Sequence, residues 1–209
     1  MRYIVTTPWW LRLLFPKGLI WDVPVKEKIL YLTFDDGPHP EHTVFVLDEL
    51  KKFNAKATFF CIGKNVKEYP EIYKRILLDG HKTGNHTHNH LNKKNTNDEQ
   101  WLGDVKEAAK WIDSNLFRPP YGRINSFCAQ TLIHAKPGFK IVMWNVLSAD
   151  FDTSKTGEQC FTHIKKHAGN GSIIIFHDSE KAAQRLQYAL PKTLEYFADK
   201  DFQFHALSM

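Results

Sequence analysis

Two adjacent carboxylates close the stretch YLTFDDGP, residues 31–38, where an apolar run meets a Gly-Pro turn. Neighbouring side chains on a strand point to opposite faces, so packing alone would want at most one of Asp35 and Asp36 there. A bend at Gly37-Pro38 would let one carboxylate bind a metal ion while the other takes a proton from the attacking water. Taken alone, the stretch also fits an ordinary Asp-rich turn.

A second titratable group is the segment HTHNH, which holds His86, His88 and His90. Imidazole is the commonest protein ligand for zinc and similar ions. If the segment begins a helix, His86 and His90 share a face; if it is extended, all three histidines share one. We favour the first pairing, because two imidazoles and one carboxylate leave positions open for water and substrate. The alternative is a histidine-rich solvated loop.

His177 follows the apolar run IIIF and is expected at the rim of a dry site. A positioned imidazolium can protonate a leaving amine or alkoxide. A capping or core histidine is the alternative interpretation.

Strand-like runs alternate with helical periodicity to the end of the chain. The strand candidates are 28–34, 56–62, 81–86, 116–118, 139–146, 172–177 and 202–207. The helix candidates are 42–53, 65–78, 97–115, 125–135, 156–168 and 182–198. This order predicts a mostly parallel sheet covered by helices, either an open doubly wound sheet or a barrel one strand short of eight. Reactive groups in such folds collect at the carboxyl ends of strands, where Asp35, Asp36 and His177 lie.

The 209 residues fit one domain, and 43% hydrophobic content predicts a sizeable core. We assign residues 26–209 to that domain and residues 1–25 to an N-terminal extension that packs on the barrel. The formal charge of +5 comes from basic residues spread along the chain, so no nucleic-acid partner is expected. Three widely spaced cysteines predict free thiols.

The N-terminal stretch carries no recognisable secretory signal and no run of about 20 apolar residues. We therefore expect a cytoplasmic, monomeric protein without a transmembrane span. Association with the cell envelope through the apolar N-terminus is the alternative.

The motifs TFDDGP, HTxxH, RPPYG, an Asp-Phe pair and an apolar run ending in His-Asp occur in order over residues 26–198. Together they resemble the polysaccharide deacetylases of carbohydrate esterase family 4, the NodB homology domain. The resemblance implies a distorted (β/α)7 barrel that removes acetyl groups from sugars with one divalent metal ion.

Position by position, the resemblance implies a role for each matching residue. Asp36, His86 and His90 would be the metal ligands, Asp35 the general base and Arg118 the residue that orients it. His177 would be the general acid, with Asp150 orienting either His177 or Arg118. The backbone N–H of Tyr121 would stabilise the oxyanion, and the substrate pocket would be lined by Pro120, Phe151 and Ile175.

Two departures from the family pattern concern the site. Phe151 stands where the family usually has Trp, which gives a smaller ring without an N–H. His88 adds an imidazole inside the metal motif, either as a bystander, a substrate contact or a competing ligand.

The resulting hypothesis is a metal-dependent hydrolase that removes N-acetyl groups from GlcNAc in peptidoglycan, chitin or related oligosaccharides. Zinc is the favoured metal, although cobalt, manganese, nickel and iron suit the same ligands. One alternative is a deacetylase of O-acetylated glycans or of another small acyl substrate, since loops set substrate choice. Another is a carbohydrate-binding barrel without catalysis.

Overall fold

A curved parallel sheet covered by helices forms the fold, as the βα alternation predicts. The computed structural model describes residues 5–208. Within them lie eight strands: β1 Ile29–Asp35, β2 Thr58–Cys61, β3 Lys82–Asn85, β4 Leu116–Phe117, β5 Lys140–Ile141, β6 Val146–Leu147, β7 Ile173–His177 and β8 Gln203–Phe204. The spatial order is β5-β4-β3-β2-β1-β7-β6, and β8 adds to the start of β1. The sheet forms a half-barrel in a single domain, which matches the distorted (β/α)7 barrel that the resemblance implies.

The helices follow the strands around the outside of the half-barrel. They are α1 Trp9–Arg12, α2 His42–Lys52, α3 Gly63–Glu68, α4 Pro70–Leu78, α5 Asp98–Ala108, α6 Ser126–Ile133, α7 Gly157–His167 and α8 Ala183–Ala198. Short 3-10 turns cover Lys93–Asn95 and Pro120–Gly122. Side-chain caps begin several helices; Asn97, for example, accepts a hydrogen bond from the Gln100 N–H at the start of α5.

Strand β1 shows how the sequence divides into two faces. Leu30, Leu32 and Phe34 point into the large apolar cluster between sheet and helices. Tyr31 belongs to the inner cluster of the half-barrel, and Asp35 follows at the carboxyl end of the same face. Parallel pairing sets Asp35 beside His177 of β7, so two titratable groups meet at one strand end.

The N-terminal segment lies across the gap between β5 and β6. Ile20 bridges Val142 in a parallel sense, and Thr6 bridges Val146 in an antiparallel sense. Ile20 and Val23 also pack against the inner cluster of the half-barrel. The segment therefore supplies backbone partners where the sheet path does not close.

The helix predicted over 97–115 ends early, at Ala108, and three other predictions also differ from the structure. The single helix predicted over 65–78 is two helices broken at Tyr69-Pro70, because a residue before proline is forced out of the helical region. The strand predicted over 139–146 is the separate pair β5 and β6. The residues after β3 do not begin a helix, so the helical explanation for pairing His86 with His90 was wrong.

None of the helices described over residues 5–208 could span a lipid bilayer.

Candidate active site

Three side chains from two loops converge at the carboxyl end of the sheet. One ligand atom each from Asp36, His86 and His90 lies within 4.8 Å of the other two. Asp36 Oδ1 is 3.3 Å from His90 Nε2 and 3.8 Å from His86 Nε2. This Oδ1 is buried and has no hydrogen-bond partner among the described residues. A buried, unpaired carboxylate oxygen facing two imidazoles suits a cation well.

The loops reach this geometry through left-handed backbone. Asp36 has φ +83°, Thr87 +64° and His90 +55°, a region that non-glycine residues seldom adopt. Asn65 holds the first loop by donating from Nδ2 to the Asp36 carbonyl at 2.7 Å. Strain of this kind persists only where the surroundings fix it, and it collects at functional sites.

The tautomer of His86 leaves one ring nitrogen free. Its Nδ1 lies 2.7 Å from the Arg118 carbonyl, which can only accept, so Nδ1 carries the proton and Nε2 keeps a lone pair. Burial, followed by repulsion from His90, lowers the pKa of His86 to about 3. The imidazole is therefore neutral near pH 7, as a metal ligand must be.

Asp35 forms a buried ion pair with Arg118. Arg118 Nη1 donates to Asp35 Oδ1 at 2.7 Å and to Thr33 Oγ1 at 2.7 Å. Burial lowers the pKa of Arg118, while the Asp35 charge raises it. Asp35 Oδ2 is left 3.7 Å from His86 Nε2, facing the three converging side chains. One oxygen is thus held by the guanidinium and the other is turned towards the site.

Asp150 hydrogen-bonds to His177, one of the two partners that the resemblance left open. Asp150 Oδ1 is 2.7 Å from His177 Nδ1, and Oδ2 accepts from the His177 backbone N–H at 2.8 Å. Burial lowers the pKa of His177, but Asp150 outweighs it with its charge and hydrogen bond, and the pKa rises to about 9. The ring is therefore protonated near pH 7. Arg118 instead bonds to Thr33 and Asp35, and to carbonyl oxygens of the strand-end residues 142–143.

The four predicted pocket residues lie on both sides of this centre. Pro120 is buried, and Tyr121 is left-handed with φ +59° and has its ring centroid 4.7 Å from that of His90. The Phe151 ring stands edge-on to His177 at 5.4 Å. Ile175 is buried two residues before His177, on the same face of β7.

His88 lies apart from the three converging side chains. The ligand group found among residues 5–208 at this place holds Asp36, His86 and His90 only. The His88 backbone N–H donates to Asp104 at 3.0 Å, and its ring packs against the start of α3 at Gly63. Its ring therefore faces a helix next to the site.

The sequence did not predict the side chains that connect the segment after β1 to the loop after β7 by hydrogen bonds. Buried Asp178 accepts from the Gly37 N–H at 3.0 Å and from the Thr43 hydroxyl. Burial raises the pKa of Asp178 to about 7, against the effect of the Thr43 hydrogen bond. Its place directly after His177 was the available signal, since a strand that ends in two polar residues needs partners for both.

A second histidine pair bridges the same loops nearer the surface. His42 Nε2 lies 2.8 Å from Glu180 Oε2, and the rings of His39 and His42 stack at 4.2 Å with an interplanar angle of 12°. His39 Nδ1 accepts from the backbone N–H groups of residues 41 and 42, so Nε2 carries its proton. One ligand atom each from His39, His42 and Glu180 lies within 4.8 Å of the other two, and in this structure the three side chains form a polar bridge.

Comparison with known proteins agrees with the geometry. The polysaccharide deacetylase family model matches residues 22–136. A peptidoglycan-N-acetylglucosamine deacetylase of Bacillus cereus is 38% identical over 200 residues, covering 92% of this chain and 93% of that protein. A chitooligosaccharide deacetylase of Azorhizobium caulinodans is 38% identical over 157 residues, covering 71% of this chain and 73% of that protein.

The fold has a close counterpart among solved structures. A crystal structure of a peptidoglycan N-acetylglucosamine deacetylase superposes with a TM-score of 0.85 and 29% identity, covering 96% of this chain and 95% of that one. The match therefore extends over the strands, the loops at their carboxyl ends and most of the N-terminal segment. The chain belongs to the polysaccharide deacetylase family.

Proposed function

We propose that this protein hydrolyses the N-acetyl group of GlcNAc residues in peptidoglycan fragments or chitooligosaccharides. Relatives named for these two substrates, each 38% identical, support the substrate class. The observation that carries the proposal is that a candidate base, Asp35, and a candidate acid, His177, lie at the same end of the sheet as the three converging side chains. Asp35 is paired with Arg118 at 2.7 Å, and His177 is held as an imidazolium by Asp150.

A divalent cation, zinc by preference, would be held by Asp36, His86 and His90. The residues fit the group because His86 Nε2 is free and neutral and because Asp36 Oδ1 is buried without a partner. Such an ion supplies Lewis acidity for the acetyl carbonyl and makes water a better nucleophile.

Asp35 is proposed as the general base. Its Oδ2 faces the three proposed ligands, while Oδ1 is fixed by Arg118, so Oδ2 could take a proton from a water molecule held beside them. The guanidinium thereby fixes the direction in which the second carboxylate oxygen points.

His177 is proposed as the general acid. A ring that is protonated at neutral pH can donate its Nε2 proton to the departing sugar nitrogen, since Nδ1 is engaged with Asp150. Asp150 then stabilises the imidazolium before transfer and fixes the direction of the N–H bond.

The remaining residues position the acetyl group. The Tyr121 backbone N–H makes no hydrogen bond to another described residue, and the left-handed turn leaves it free to donate to the developing oxyanion. Ile175 and Phe151 would contact the acetyl methyl beside His177.

A panel of acetate-release assays tests the proposal. Metal-loaded enzyme should release acetate from N-acetylglucosamine oligomers and peptidoglycan fragments, and the Asp35→Asn variant should be slower by about 10²-fold or more with its metal retained. Release from acetylated xylan alone would replace the proposal with an O-deacetylase. Release from no substrate by metal-loaded protein would favour the binding barrel, and an unchanged rate in Asp35→Asn would remove Asp35 as the base.

A further inference from the structure

Four large apolar side chains project from the N-terminal segment. Trp9 is 74% exposed, Trp10 53%, Leu13 74% and Leu14 76%. They lie on α1 and the helical turn that follows it, and we call them the apolar wedge. Contiguous exposed apolar side chains mark an interaction surface, whereas isolated ones need no explanation.

The base beneath the wedge is fixed to the barrel. The Thr7 N–H donates to the Asn145 carbonyl at 3.2 Å on one side, and the Met143 N–H donates to the Ile20 carbonyl at 2.7 Å on the other. Arg12 pairs with Asp22 at 2.6 Å. The wedge is therefore presented by an anchored loop with bonds on both sides.

The charged residues of positions 5–21 are all basic. Arg12 and Lys17 are the charged residues of positions 5–21, and the first acidic residue of the chain is Asp22. Arg12 is neutralised by Asp22, while Lys17 is exposed beside the wedge. An anionic surface meets no repulsion from this segment and gains from Lys17.

The size of the apolar wedge favours a lipid bilayer over a second protein as its partner. A stable protein interface takes about 20–30 residues a side, far more than four projecting side chains supply. A few apolar side chains beside basic residues are enough for reversible binding at a bilayer interface, where tryptophan is enriched. We propose that the apolar wedge inserts into the surface of an anionic lipid bilayer and holds the enzyme there.

Vesicle co-sedimentation of the full-length protein tests the proposal. Phosphatidylcholine vesicles with phosphatidylglycerol should sediment the wild type, and pure phosphatidylcholine vesicles should do so more weakly. The Leu13→Ser/Leu14→Ser variant should lose roughly tenfold or more in vesicle affinity. The matched control Leu77→Ser/Leu78→Ser changes two other exposed leucines, on α4, and should bind as the wild type does.

A second arm tests the charge. Lys17→Glu should weaken binding to the phosphatidylglycerol vesicles, whereas Lys74→Glu, at an exposed position on α4, should not. Equal sedimentation of the wild type with both kinds of vesicle, or with neither, would overturn the proposal. So would self-association in the absence of lipid that the Leu13/Leu14 variant abolishes, because the wedge would then join two copies.

Hydrolysis of a soluble oligosaccharide serves as the folding control. Both double variants change exposed side chains and leave the anchoring backbone hydrogen bonds in place, so both should keep wild-type rates in solution. Loss of vesicle binding with full activity supports the proposal, and the catalytic assignment is tested separately.

Discussion

Strand β1 ends between Asp35 and Asp36, so the two neighbouring carboxylates can point in different directions. Asp35 keeps the direction of β1 and reaches Arg118, while Asp36, at φ +83°, turns its carboxylate towards His86 and His90. The residue types and their order in the chain predict that both carboxylates serve one site. The left-handed turn that separates their directions depends on Asn65 and Asp178, which lie far away in sequence.

Replacing Arg118 by lysine should reduce stability even though the charge is kept. The guanidinium is fully buried and bonds to Thr33, Asp35 and two backbone carbonyls, which a single ammonium cannot span. We expect a loss of about 2–4 kcal/mol in the free energy of unfolding by urea. Arg123→Lys, at an exposed position, should change it by less than about 0.5 kcal/mol. Equal unfolding midpoints for the two variants would contradict the role of the buried guanidinium.

Replacing Asp150 by asparagine should shift the alkaline limb of the rate profile. The folded-state pKa of His177 is raised from 6.5 to about 9, so its protonation stabilises the fold fully below about pH 6.5, and this contribution is lost as pH rises through 9. Without the Asp150 charge the pKa falls, and the acid form is lost at lower pH.

The measurement is kcat/KM against pH for both proteins loaded with the same metal. Asp150→Asn should have its alkaline limb at lower pH and a rate near pH 7 reduced by about 10²-fold. An alkaline limb that stays in place would show that Asp150 does not set the pKa of the acid.

The loops after β1 and β7 form one bonded unit, and Asp178 is its centre. It accepts from Gly37 of the first loop and from Thr43 at the start of α2, and its own N–H donates to the Asp35 carbonyl at 3.1 Å. A Cβ on Gly37 would lie 2.1 Å from Asp178 Oδ2, so the close approach requires glycine.

Asp178→Ala should therefore weaken metal binding without touching a ligand. The Gly37 N–H and the Thr43 hydroxyl lose their acceptor, and the turn that aims Asp36 is released. Groups that orient ligands are typically worth about 10–100-fold in metal affinity, so we expect a zinc Kd higher by that factor. Glu180→Gln, in the same loop but exposed, should leave the Kd near the wild-type value; a wild-type Kd in Asp178→Ala would refute the positioning role.

The sequence was informative about elements with strong periodicity and less so about short ones. Strand β1 and helix α8 were predicted within a residue or two because long apolar patterns define them. Strands β5 and β6 have two residues each, and their separation follows from pairing with the N-terminal segment, which no local pattern encodes. The turn from His86 to His90 was likewise missed because tertiary contacts set its left-handed residues.

The half-barrel as a whole depends on the N-terminal segment for part of its inner packing. Ile20 and Val23 contact the cluster that contains Tyr31 and Ile173, and buried Trp21 stacks edge-on against Phe15 at 4.9 Å. The same segment carries the exposed apolar wedge, so it has one face towards the barrel and one away from it.

Replacing Trp21 by alanine should therefore change the stability of the protein far more than replacing Trp9. Trp21 is 8% exposed, and Trp21→Ala should cost about 3 kcal/mol of unfolding free energy. Trp9 is 74% exposed, and Trp9→Ala should change stability by less than about 0.5 kcal/mol. Urea unfolding of both variants measures this, and similar losses would contradict the two-faced arrangement of the segment.

Metal-restored acetate release tests the central claim most directly. Chelated enzyme should release no acetate from N-acetylglucosamine oligomers, and zinc, cobalt or manganese should restore release in the wild type. His90→Ala should bind zinc weakly and recover little activity, since one of its three ligands is gone. Acetate release by the metal-free wild type, or full recovery by His90→Ala at stoichiometric zinc, would contradict the account.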